Sequence, residues 1–143
     1  MKLEGTVVAA HGRHYLVELP DGGALSCFPR GKKSALACGD RVSIARGSAT
    51  QGIIDAVLPR RALFYRSNAF RQKLIAANVT RVIIVVATDL SFSEDLVTRC
   101  LIAAESQAID VLIALNKCDL ADRVAPAEVA LAPFSRLGYR ILH

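Results

Sequence analysis

A five-stranded β-barrel followed by the first part of a doubly wound parallel α/β sheet is the fold class that this 143-residue sequence predicts. Three observations carry it. Before Pro59 the apolar residues come in short runs of strand length, separated by turn-forming clusters. After Val79 they come as a continuous block, then at helical spacing, then as a second block, which is the β-α-β texture of a parallel sheet. The charge divides nearby: residues 1–75 hold 12 Lys and Arg against 5 Asp and Glu, a balance of +7, while residues 76–143 carry −2.

The first five strands are expected at residues 3–10, 14–19, 24–28, 41–46 and 53–58. Between them lie His11-Gly12-Arg13, Pro20-Asp21-Gly22-Gly23, a long polar loop over 29–40, and the Gly47 to Gly52 turn. The Pro-Asp-Gly-Gly stretch is a strong hairpin signal, because these residues suit tight turns. Five short strands with one long connection after the third match a barrel of the OB type, with an SH3-like barrel as the alternative. Residues 1–59 form this first domain, and 60–78 follow as a basic linker containing Arg60, Arg61, Arg66, Arg71 and Lys73 with Phe64, Tyr65 and Phe70. The linker reads either as a solvated tether or as an RNA-contacting segment in which rings alternate with guanidinium groups.

In residues 79–143, Val82 to Ala87 is an unbroken apolar run, as expected of a parallel strand covered on both faces. Ser91-Phe92-Ser93-Glu94 supplies helix-capping letters, so Ser91 and Ser93 read as caps rather than nucleophiles. Leu96, Val97, Cys100, Leu101 and Ala104 then recur at helical spacing. A second strand is expected at 110–115 and a second helix within 126–137, shortened or kinked by Pro133. Gly138 marks its end and a third strand begins at Tyr139. Three parallel strands leave apolar edges open, so the chain is expected to be a fragment of a longer protein.

The second strand releases Asn116-Lys117-Cys118-Asp119. A carboxylate at Asp119 suits guanine, because it accepts from both the ring N1–H and the exocyclic amine in a charge-assisted bidentate pair. Adenine would leave it unpaired, and stranding a buried polar group discriminates by on the order of 10⁴-fold. Asn116 reaches the base from its other edge and braces the loop, while the aliphatic stem of Lys117 covers the base plane. Its position at the carboxyl end of a parallel strand is where open α/β sheets bind ligands. No G-x-x-x-x-G-K-[S/T] phosphate loop precedes it. Gly31-Lys32-Lys33-Ser34 fails, with Lys33 where a magnesium-ligating hydroxyl is required.

Other chemistries find little support. No apolar run is long enough to span a membrane and no secretory pattern opens the chain, so a cytoplasmic protein without membrane contact is expected. Cys27, Cys38, Cys100 and Cys118 have neither C-x-x-C spacing nor a neighbouring His, which argues against a disulfide framework or a zinc site in this stretch. His11, His14 and His143 lack a nucleophile partner or ligand spacing. The basic first half points to a polyanion, with Arg13, His14, Arg30, Lys32, Lys33 and Arg46 as candidate RNA contacts. Tyr15 and Phe28 read as barrel core or as base-stacking rings.

Further motifs accompany these: Gly5-x-Val7, Arg30-Gly31-Lys32, Gly39-Asp40-Arg41-Val42, Pro59-Arg60, Lys73-x-Ile75-Ala76-Ala77-Asn78-Val79, Ala104-Glu105, Leu115-Asn116-Lys117-x-Asp119-Leu120 and Gly138-Tyr139. With them, nearly the whole chain resembles the N-terminal part of the circularly permuted, small-ribosomal-subunit-dependent GTPases, the RsgA, YjeQ or EngC family. The resemblance implies an OB-fold domain contacting the small (30S) ribosomal subunit and 16S rRNA, then the first part of a P-loop-GTPase-type domain. It implies GTP and GDP as ligands, guanine contacts from Asn116, Lys117 and Asp119, and a monomer acting in late subunit maturation. The phosphate loop, magnesium and a zinc domain are implied only beyond His143, so this stretch alone is not expected to hydrolyse GTP. The alternative is a non-enzymatic OB-fold RNA-binding module with a vestigial nucleotide-domain remnant.

Overall fold

The computed structural model describes residues 2–31, 35–89 and 92–143. It divides into two compact units, Met1–Val79 and Thr80–His143.

In the first unit, β1 (Lys2–His11), β2 (His14–Glu18), β3 (Ala24–Pro29), β4 (Arg41–Arg46) and β5 (Gln51–Val57) close a barrel in the order β1-β2-β3-β5-β4. The barrel is sealed by antiparallel pairing of β1 with β4, and β3 runs parallel to β5. This is the OB arrangement, in which the long connection after the third strand carries the chain to the far edge. Alternation sets the interior: Tyr15 and Val17 of β2, Leu25 and Cys27 of β3, and Val42 and Ile44 of β4 point inward. A Cβ on Gly5 of β1 would lie 2.6 Å from the Glu18 carbonyl oxygen and from a Val17 methyl, so the wall there admits no side chain.

The long loop is tied down by a buried ion pair. Asp40 is fully buried, and its two oxygens accept from Arg60 Nε (2.6 Å) and Nη2 (2.8 Å). Oδ2 also accepts from the Ala37 N–H at 2.8 Å, and Arg60 Nη2 donates to the Ala35 carbonyl at 2.6 Å. Beside it, Asn78 Nδ2 donates to the Gly39 carbonyl at 2.8 Å. Three motifs distant in sequence thus converge on one knot.

Residues 60–78, expected as a linker, contain an antiparallel hairpin, β6 (Leu63–Ser67) and β7 (Gln72–Ala77). Its turn is an Asx turn, with Asn68 Oδ1 accepting from the N–H groups of Phe70 and Arg71.

The second unit runs β8 (Arg81–Ala87), α1 (Glu94–Glu105), β9 (Asp110–Asn116), α2 (Ala121–Arg136) and β10 (Arg140–Leu142), with parallel strands in the order β10-β9-β8. Ser93 caps α1, its Oγ accepting from the Leu96 N–H, while Ser91 lies outside the described residues. Both crossovers step the same way across the sheet, so both helices pack one face. Val97 and Leu101 of α1 and Leu131 and Phe134 of α2 share a core with Val86 and Ile113.

Two expectations are corrected here. The β8 run is covered on one face only: Ile83 and Val85, pointing the other way, are 57% and 62% exposed. The second helix begins at Ala121, directly after the Asn-Lys-Cys-Asp loop, and runs through both Pro126 and Pro133. Its buried stripe of Ala127, Leu131 and Phe134 outweighs the lost N–H donors.

Candidate functional site

The loop after β9 stands at the carboxyl edge of the parallel sheet, with Asn116, Lys117 and Asp119 all exposed. Its backbone is held from several sides. Asn116 Oδ1 accepts from the Lys117 N–H at 2.8 Å, and Lys117 adopts a left-handed φ of 63°. The Cys118 thiol donates to the Leu115 carbonyl, and the Ala121 N–H donates to the Asp119 carbonyl as α2 begins.

The neighbouring strand end contributes as well. The Thr88 N–H donates to the Asn116 carbonyl at 3.1 Å, and its hydroxyl donates to the Lys117 carbonyl at 2.7 Å. Lys117 Nζ is ion-paired with Asp89 Oδ2, and Arg123 Nη1 donates to the Asp89 carbonyl at 3.0 Å. The Lys117 hydrogen bond holds the Asp89 carboxyl below the usual carboxylate range. Thr88, Asp89 and Arg123 were not among the residues the sequence singled out. The available signal was positional: Thr88-Asp89 directly follows the strand paired with β9, whose last pair is Ala87 with Asn116, so it lies beside the loop.

On the barrel, the structure brings together part of the basic set. Arg13 Nη2 donates to the Gly31 carbonyl at 2.6 Å, and Arg30 pairs with Asp55 at 2.7 Å. The His14 ring bonds Ser26 and lies 5.0 Å from the Phe28 ring. Phe28 is 46% exposed on this outer face, whereas Tyr15 is core. Arg46 ends β4, donating to the carbonyls of Ser48 and Ala49 in the β4–β5 turn. Lys32 and Lys33 lie outside the described residues. In the β6–β7 hairpin, Phe70 is almost wholly exposed among Arg66, Arg71 and Lys73.

Among the described residues no three His, Cys, Asp or Glu side chains converge as metal ligands. No helix among them is long and apolar enough to cross a membrane.

The arrangement of a closed barrel followed by a parallel unit is similar to that of a solved structure, YjeQ from Thermotoga maritima. The two share 27% identity at a TM-score of 0.69 over 99% of this chain and 51% of that one. A second, YloQ, described as a circularly permuted GTPase, shares the fold at a TM-score of 0.67 and 22% identity, over 99% of this chain and 51% of that one. The family model described as RsgA GTPase matches residues 57–143, and the chain belongs to that family. The small ribosomal subunit biogenesis GTPase RsgA of Nitrosospira multiformis is 54% identical over 143 residues, covering 98% of this chain and 45% of the relative. Its namesake in Burkholderia pseudomallei is 51% identical over 142 residues, covering 99% of this chain and 45% of the relative. The chain thus spans about half the length of these relatives.

Proposed function

We propose that this chain is the RNA-docking and guanine-reading part of a GTPase that assists late maturation of the small ribosomal subunit. Residues 1–59 dock on ribosomal RNA, 60–78 form a basic connection, and 79–143 begin the nucleotide domain. The observation that carries this reading is the N-K-x-D loop, held rigidly at the carboxyl edge of β9 with its side chains exposed. Asp119 accepts from the guanine N1–H and amine, Asn116 braces the loop, and the Lys117 stem covers the base. The names of the relatives supply the activity and the ribosomal partner.

GTP hydrolysis depends on cradling the phosphates, a magnesium ion and a positioned water. The 143 residues carry no phosphate-loop pattern, so this stretch alone binds guanine nucleotide weakly and does not turn it over. Magnesium and zinc belong with segments outside it. The protein acts as a cytoplasmic monomer.

For RNA, the grouping of Arg13, His14 and Arg30 around an exposed Phe28 supports a face on which guanidinium groups meet phosphates and a ring stacks a base. Lys32, Lys33 and Arg46 complete the proposed set of RNA contacts. The exposed Phe70 among cations favours the RNA-contacting reading of 60–78.

The test is Asp119→Asn in the full-length protein. It should weaken GTP by about a hundredfold or more and raise affinity for xanthine nucleotide, whose extra carbonyl matches the new amide. Unchanged GTP affinity would remove Asp119 from guanine recognition. Replacing Arg13 and Arg30 together by Ala should lower the slope of log K against log salt for subunit binding by about one to two. An unchanged slope would place the RNA surface elsewhere.

A further inference from the structure

We infer that Asp89 is a positioning residue for nucleotide recognition, holding the Lys117 ammonium so that the lysine stem is already laid across the guanine loop before a base arrives. The inference rests on the guanine-loop reading above and extends it to the turn after β8, on which that reading places no residue.

Lysine is poorly suited to cover a base unaided. Its four-carbon stem carries considerable rotamer entropy, which binding must remove each time unless the side chain is already ordered. Asp89 supplies that ordering. Its Oδ2 takes the Lys117 ammonium, and its side chain is 24% exposed against 48% for Lys117, so the carboxylate side of the pair is partly shielded from water. The Asp89 backbone is itself held in place. Arg123, in the first turn of α2, donates to the Asp89 carbonyl, and Thr88 next to it bonds both the Asn116 and Lys117 backbones. Asp89, Lys117 and Arg123 come from three separate segments, the turn after β8, the loop after β9 and α2. Each is fixed by a different contact.

The Lys117 backbone adds a second reason. At a φ of 63° it holds a left-handed conformation that a side chain disfavours. Its carbonyl is restrained by Thr88, while its side chain is restrained at the far end by Asp89. Tethering both ends of one residue fixes the direction of the stem. A surface ion pair formed for stability alone would not need this arrangement, since exposed pairs contribute little.

The test uses the full-length protein, with GDP and XDP binding measured by titration calorimetry on Asp89→Asn, Asp89→Glu, Lys117→Met, Asp119→Asn and the Asp89→Asn/Lys117→Met double variant. Asp89→Asn should weaken GDP by about five- to tenfold with the melting temperature nearly unchanged, and Asp89→Glu should recover part of the loss. In the Lys117→Met background the same substitution should cost less than about twofold, because the group it positions is gone. A merely structural role for Asp89 would not produce that coupling. If Asp89→Asn leaves GDP binding within about twofold while Asp119→Asn weakens it and shifts preference to XDP, the proposal falls and the guanine reading stands. A full-size loss that persists in the Lys117→Met background also overturns it. If Asp119→Asn and Lys117→Met both leave GDP binding unchanged, the guanine reading falls and takes the proposal with it.

Discussion

Gly39 shows how much one position can decide. Its φ is +89°, and a Cβ there would lie 2.0 Å from the Ala77 carbonyl oxygen, a backbone atom with nowhere to move. The next residue, Asp40, is buried against Arg60, so any shift of Gly39 also disturbs an ion pair whose carboxylate has left water. Gly39→Ala is therefore expected to cost about 3 kcal/mol or more, read as a fall in the denaturant midpoint of the first unit. A loss under about 1 kcal/mol would mean that the loop relaxes freely. Asp89 offers a second check at this scale. With its folded pKa depressed, its contribution is complete above the unfolded carboxylate value of about 3.9 and is lost as pH falls through the lower folded value. An NMR titration should place the Asp89 carboxyl midpoint below that of an exposed Asp, and Lys117→Met should raise it. Both residues stand in the sequence as ordinary letters. Gly-Asp is a common turn pair, and Thr88-Asp89 merely ends an apolar run; only their neighbours in space give them weight.

Among the elements, α2 departs most from its sequence pattern. Two prolines and a leucine at the N-cap, which makes no side-chain capping bond, argue for a late start and a short helix. Instead all four turns form, because Leu131 is wholly buried against β9 and its neighbours. Leu131→Ala should destabilise the second unit by about 2–5 kcal/mol, whereas Pro133→Ala should be neutral or stabilising by about 1 kcal/mol. Thermal melts of the two variants check the ranking, and a larger loss from Pro133→Ala would show that its ring is needed in the packing. The β6–β7 hairpin is the opposite case. Its strands are short and largely exposed, so alternation carried little signal, and the Asn68 turn was the clue left unused. The barrel strands, with one face buried, were legible nearly to their ends.

At the scale of the molecule, the two units treat their sheet edges differently. The barrel closes on itself, so every strand has two partners. The second unit has a three-stranded sheet with both helices on one side, leaving Ile83, Val85 and Leu142 on the other. Residues 80–143 expressed alone should bind a hydrophobic dye and associate as concentration rises, and Val85→Lys should reduce both, as read by fluorescence and sedimentation. Dye binding that Val85→Lys leaves unaltered would place the sticky surface elsewhere. Alternation, turn residues and the N-K-x-D spacing were enough to give the barrel, the parallel unit and the place of the N-K-x-D loop after β9, because local periodicity and motif chemistry are written along the chain. Which face of the sheet the helices cover, how Gly39, Arg60 and Asn78 form one knot, and that Asp89 grips Lys117 across two strands all depend on contacts between distant residues. Those follow from the direction of each crossover and the depth of each burial, which no local window of sequence contains.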